Sequence, residues 1–125
     1  MGRATALTFA REGASVVGCD VAVDPAQATV EMVHGAGGAM VSMQPCNLSQ
    51  PADCDALVDL ALSTFGRIDV LFNLAAVAYF NRLEDITDEE WDSARWEEVD
   101  LVFFLTRVAW PHLKASGGRW STWRR

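Results

Sequence analysis

The chain has 125 residues, half of them hydrophobic and 22% charged, with a formal net charge of -7. That length fits one domain at most, and the composition is globular rather than disordered. Scattered basic residues in an acidic chain argue against a nucleic-acid partner, which needs clustered Lys and Arg, and no apolar run reaches the roughly 18 residues of a membrane span.

Taken in order, Gly2 to Glu12 has helical spacing, with Ala6, Leu7, Phe9 and Ala10 as its apolar stripe and Gly13 closing it. Ser15 to Cys19 is a short apolar strand ending at Asp20. A carboxylate there has two readings: it accepts ribose hydroxyls in a dinucleotide-binding unit, or it only turns the chain. Pro25 to Gly35 reads as a modest helix, and Ala39 to Met43 as a third segment of strand type. Ser49 looks like the cap of the next helix, with Pro51 in its first turn and Ala56, Leu57, Leu60, Ala61 and Phe65 as its core stripe.

Ile68 to Phe72 then reads as a buried strand that stops at Asn73 and opens onto the small residues Ala75 and Ala76. Ligands bind at such strand ends in open α/β sheets. Tyr79 lies in the following loop and reads as a packing residue, because no Lys follows at helical spacing. Thr87-Asp88-Glu89-Glu90 is a capping-box signature that opens one long helix. That helix carries Phe103, Phe104 and Trp110, and Gly117-Gly118 ends it. Alternating strands and helices at this spacing predict parallel pairing.

Cys19, Cys46 and Cys54 form no CxxC and no ligand cluster with His34 or His112. They read as free thiols of a reducing compartment, with no zinc site. With no charged-then-apolar leader at Met1, the expected location is the cytoplasm.

These pieces together resemble the short-chain dehydrogenase/reductase family. Arg3 to Ala14 is similar to the first helix after that family's TGxxxGxG turn, and Asn73-Leu74-Ala75-Ala76 corresponds to its NNAG motif. Leu83 to Asp92 is very like its approach to the fourth helix, and the resemblance runs from residue 1 to about 118. It implies an α/β fold, a partial Rossmann-like doubly wound parallel sheet lacking its first strand and everything after the fourth helix. It also implies cofactor contacts from Gly2 at the pyrophosphate, Asp20 at the ribose, Asn47 and Leu48 at the adenine, and Asn73, Leu74, Ala75 and Ala76 at the nicotinamide ribose. Asp20 favours NAD over NADP, because a carboxylate repels a 2′-phosphate.

The departures from the family pattern are equally specific. Of the glycine turn only Gly2 remains, and the family's helix-four Asn falls at Glu98 without a gap or at Asp100 with a two-residue slip. The family's catalytic Ser and YxxxK fall beyond residue 118, so no catalytic residue is assigned. Residues 119–125 read as a non-family tail rather than a strand. Shifted by two bases, with suitable codons, that tail can spell Val-Val-Asn-Met-Ala-Ser, which suggests a frameshift near Gly118 and an internal start. By resemblance, the family's first strand belongs between the strands at 15–19 and 68–72. Without it, two strand edges should face each other unpaired and the domain should fold with poor cooperativity.

The expected function is therefore that of a fragment of an NAD-dependent oxidoreductase acting on alcohol or ketone groups. It would keep part of the cofactor site and lack the Ser, Tyr and Lys. The alternatives are a non-catalytic interaction fragment and a truncated product without function. The interaction fragment would pack its 88–114 helix on a second copy or an intact homologue.

Overall fold

Two separate pairs of parallel strands carry the fold. The computed structural model describes residues 1–76 and 81–122. In chain order the main elements are α1 (Gly2–Arg11), β1 (Ser15–Cys19), α2 (Val23–Gly35), β2 (Ala39–Met43), α3 (Pro51–Phe65) and β3 (Val70–Asn73). They continue with α4 (Asp88–Arg95), a π-helical turn (Trp96–Asp100), α5 (Leu101–Ser116) and β4 (Arg119–Thr122). Tyr79 and the residues after Thr122 lie outside the described residues.

β1 pairs with β2 from Ser15↔Ala39 to Cys19↔Met43, and β3 pairs with β4 from Val70↔Arg119 to Asn73↔Thr122. α1 packs on β1 and on α2, and α2 covers β2. α3 packs on β1 and α5, while α5 packs on β3 and β4. The larger core cluster lies among α3, α5 and the segment after β2, around Cys54, Leu57, Val58, Leu101, Leu105, Ala109 and Leu113. A smaller one joins Ala6, Ala10, Val33 and Met40. Both come from the apolar stripes that helical spacing places on one face.

The parallel α/β class and two of the strands match the sequence expectations, and five details are corrected. The α2 helix starts at Val23, not Pro25, because the Ala22 N–H donates to Asp20 Oδ1 (2.9 Å) and turns the chain early. Gln50 rather than Ser49 stands at the cap of α3, since the Ser49 N–H donates to Asn47 Oδ1 (3.0 Å). β3 begins two residues late: the Ser116 hydroxyl at the end of α5 donates to the Ile68 carbonyl (2.6 Å) ahead of the ladder, whose first bond runs from the Arg119 N–H to the Asp69 carbonyl (2.8 Å).

The long helix is not continuous. The capping box at Thr87 forms as expected, with Glu90 N–H to Thr87 Oγ1 at 3.2 Å and Thr87 N–H to Glu90 Oε2 at 3.1 Å. Eight residues later the helix widens into the π turn. Last, the tail does form a strand. Ladder bonds come from the backbone, so Arg119-Trp120-Ser121-Thr122 can pair without an apolar pattern. Gly117 leaves α5 with φ 69°, the left-handed region glycine adopts freely. Gly118 then passes so close to β3 that a Cβ would sit 2.5 Å from the Asp69 carbonyl oxygen.

Candidate functional site

A cavity of about 630 Å³ separates the two strand pairs. Its sides are β1 from Ser15 to Cys19 and the β3 stretch from Ile68 to Asn73. Ala6 and Phe9 of α1 close one face, and Leu57, Val58, Ala61, Leu105 and Ala109 close the other. The Phe9 and Phe72 rings meet across it with centroids 6.2 Å apart. Among the described residues, neither β1 nor β3 has a strand partner on the edge facing this cavity.

The rim at the carboxyl ends of β1 and β3 holds polar groups. Of the eight residues the resemblance nominates, Gly2, Asp20, Leu48, Asn73 and Leu74 line the same cavity, whereas Asn47, Ala75 and Ala76 do not. Gly2 is the first residue of α1, and its N–H belongs to the first turn, where helix N–H groups have no intrahelical acceptor. A Cβ at Gly2 would meet open space. Asp20 is exposed just past β1, where one carboxylate oxygen holds the turn into α2. The chain-turning reading is therefore realised in the structure, and the carboxylate still faces the rim.

Asn73 is 5% exposed, its Nδ2 lies 3.5 Å from Thr106 Oγ1, and its Oδ1 has no partner among the described residues. A buried acceptor without a donor is costly, about 1–3 kcal/mol, so it calls for a ligand or water donor. Leu48 is buried in the larger core cluster, so its side chain supports the floor and cannot lie flat on a ligand ring. The Asn47 side chain serves the loop before α3, and its N–H donates to Asp53 Oδ2 (2.7 Å).

The resemblance did not anticipate the grouping of the three thiols. Cys19 is half-buried, and Cys46 and Cys54 are buried. The Cys46 N–H donates to the Asp20 carbonyl (2.9 Å), and the Cys54 thiol donates to the Leu48 carbonyl (3.3 Å). Donation to Cys46, reinforced by burial, pushes the Cys19 thiol up. Burial and the neighbouring Cys46 push Cys54 up to about 11. Both are therefore inert packing thiols. Among the described residues no three Cys, His, Asp or Glu side chains gather as metal ligands, and no helix is long and apolar enough to cross a membrane.

The open amino end of α1, the exposed Asp20 carboxylate and the orphaned Asn73 oxygen supply an anion seat, a hydroxyl acceptor and a second acceptor.

A family model described as enoyl-(acyl carrier protein) reductase matches residues 1–122. The cyclohexanol dehydrogenase of Acinetobacter sp. (strain SE19) is 32% identical over 119 residues, covering 94% of this chain and 47% of that protein. A solved 7α-hydroxysteroid dehydrogenase, in complex with NADH and 7-oxo glycochenodeoxycholic acid, superposes with a TM-score of 0.90 at 30% identity. That match covers 97% of this chain and 48% of the other. A short-chain dehydrogenase from Mycobacterium avium superposes at 0.87 with 30% identity, over 97% and 48% of the two chains. The chain thus spans about half the length of these relatives.

Proposed function

Because the chain belongs to the short-chain dehydrogenase/reductase family of oxidoreductases, we propose that it carries part of a nicotinamide-dinucleotide site. The observation that bears most weight is the gathering of Gly2, Asp20 and Asn73 around one cavity at the carboxyl ends of β1 and β3. When bound, the nicotinamide ring would supply a hydride acceptor or donor. The residues here bind and orient. The α1 amino end receives the pyrophosphate, Asp20 accepts from the adenosine ribose hydroxyls, and the Asn73 amide oxygen accepts from the nicotinamide ribose, with Leu74, Ala75 and Ala76 leaving it room. Asn47 and the Leu48 backbone border the adenine.

Two relatives are named for secondary alcohols or a keto form, cyclohexanol and a 7-oxo bile acid. That supports an alcohol or ketone as the substrate class of the full-length lineage. The chain itself lacks the Ser, Tyr and Lys set and acts as a cofactor-side fragment. Its free thiols suit the cytoplasm.

Calorimetric titration tests the cofactor reading. NAD is expected to bind weakly, NADP more weakly still, and Asp20→Ala is expected to reduce NAD affinity about tenfold. A charge-assisted hydrogen bond contributes roughly 1.5–3 kcal/mol, and about 1.4 kcal/mol is a factor of ten. Equal NAD affinity in the two proteins would overturn the assignment of Asp20.

One exposed face favours a second reading, association through α4 and α5. Phe103 is 56% exposed and Trp110 48%, beside a groove that Trp120 also lines. Arg107 lies over the Phe103 ring, 5.3 Å from its centroid, and the Trp120 indole donates to Thr106 (2.9 Å). Large exposed aromatics on one face are typical of interface anchors. Sedimentation should show a concentration-dependent dimer for the native chain and a monomer for Phe103→Glu. A native chain that stays monomeric at all concentrations sinks this reading.

A further inference from the structure

Three thiols meet at the carboxyl end of β1, and two of them are placed to react with each other. β1 and β2 pair with Cys19 opposite Met43. The Asp20 N–H donates to the Met43 carbonyl (3.3 Å), and the Cys46 N–H donates back to the Asp20 carbonyl (2.9 Å). The chain leaving β2 is thereby folded against the end of β1. Neighbouring strands lie about 4.8 Å apart, and disulfides join residues whose Cα atoms are about 4.4–6.8 Å apart. Alternation along β1 puts Cys19 on the same face as Val17, and both pack on the core cluster that contains Cys46 and Cys54.

The three thiols are not equivalent. Cys19 donates to Cys46, which pulls the Cys46 thiol down and pushes Cys19 up. Cys54 donates instead to the Leu48 carbonyl (3.3 Å), and burial pushes it up to about 11. The thiolate is the nucleophile, so Cys46 is the first of the three to react with an oxidant. Cys46 is 3% exposed, which shuts out bulky disulfide reagents. Cys19 is half-buried and lines the cavity, which leaves a way in for a small oxidant.

We propose that Cys19 and Cys46 form a reversible disulfide when the chain meets a hydroperoxide, a covalent lock between β1 and the segment after β2, beside Asp20 and Asn47. The Cys46 thiolate attacks one peroxide oxygen and the O–O bond breaks. That sulfur becomes a sulfenic acid, and the other oxygen leaves as water with the proton Cys46 gave up. The Cys19 sulfur then attacks the Cys46 sulfur, the S–O bond breaks, and the hydroxyl leaves with the Cys19 proton as a second water. Two thiols lose two electrons and one peroxide gains them. Cys19 is inert while it donates to the Cys46 sulfur, and that hold ends once Cys46 is a sulfenic acid. No step needs a nucleotide, so failure here leaves the cofactor reading untouched, and the reverse.

The experiment treats the full 125-residue chain with dilute hydrogen peroxide, in native buffer and in urea. Catalase and N-ethylmaleimide stop the reaction, and peptides are mapped by mass spectrometry. In native buffer the chain should lose about 2 Da, keep only Cys54 open to alkylation, and yield one peptide pair joined through Cys19 and Cys46. A dithiol reductant should restore all three thiols. In urea the shorter loop should favour Cys46–Cys54 by about sixfold, so the choice of Cys19 is a mark of the fold. Cys19→Ser should stop the native cross-link and leave the oxygen on Cys46. A Cys46–Cys54 link in native buffer, Cys19–Cys46 pairing that persists undiminished in urea, three thiols still open to alkylation after treatment, or an oxygen adduct of the native chain without a cross-link would each overturn the proposal.

Discussion

Given NADH and a panel of small ketones, the chain is expected to consume no cofactor beyond a protein-free control. A positioned acid/base group contributes about 10²–10⁴-fold to such a reaction, and the composition leaves little to supply one. Tyr79 is the sole tyrosine and Lys114 the sole lysine. Lys114 is exposed in the last turn of α5 and does not line the cavity, and Tyr79 lies outside the described residues. Cys19 and Cys54 are held protonated, and Cys46, whose thiol the hydrogen bond from Cys19 pulls down, is buried and does not line the cavity. Absorbance at the reduced-nicotinamide band reads the result. Ketone-dependent loss of NADH that disappears in Tyr79→Phe would prove the expectation wrong and would place that tyrosine in the chemistry.

Leu113→Ala is expected to abolish a cooperative unfolding transition. Leu113 is 2% exposed and sits where α5 meets α3, among Cys54, Leu57, Val58 and Ala109. Truncating a buried leucine costs about 2–5 kcal/mol, including the cavity left behind, against roughly 5–15 kcal/mol for an ordinary domain. Here the reserve should lie at the low end, because the strand edges facing the cavity have no strand partner among the described residues. Urea melts followed by far-ultraviolet dichroism report the loss, with the exposed neighbour Lys114→Ala as a control expected to change little. A loss below about 1 kcal/mol for Leu113→Ala would mean that the α3–α5 contact is not the main core.

Much of this was legible from local pattern. Short apolar runs located β1 and β2 to the residue, and Thr87 with Glu90 announced a capping box that the structure contains. The split between β1 and β3 was also legible, because the resemblance assigned a strand to the place where the cavity now lies. What escaped was decided by tertiary contact. No residue in Arg119–Thr122 looks like a buried strand, yet Gly118 brings the backbone against Asp69 and the ladder forms. The Arg119 N–H reaches the Asp69 carbonyl as the first bond of that ladder. At the candidate site, Asp20 and Asn73 stood out as polar ends of apolar strands. The burial of Leu48 depends on Cys46 and Cys54 packing beside it, which local sequence cannot reveal.

The π turn at Trp96–Asp100 changes how positions along its helix are counted. Its hydrogen bonds close over five residues instead of four, so one extra residue is absorbed and everything upstream is rotated by about 100° relative to an unbroken α-helix. Leu101, Leu105, Ala109 and Leu113 hold the downstream half to the core. Stepping back by fours from Leu101 gives Glu97, Ser93 and Glu89, residues no core would accept. The widened turn takes Ser93 and Glu89 out of that phase, while Glu97, inside the turn itself, stays half-buried. Glu98 and Asp100, the two positions offered for the family's helix Asn, both lie inside it, where side chains do not keep the α-helical spacing that the sequence reading assumed.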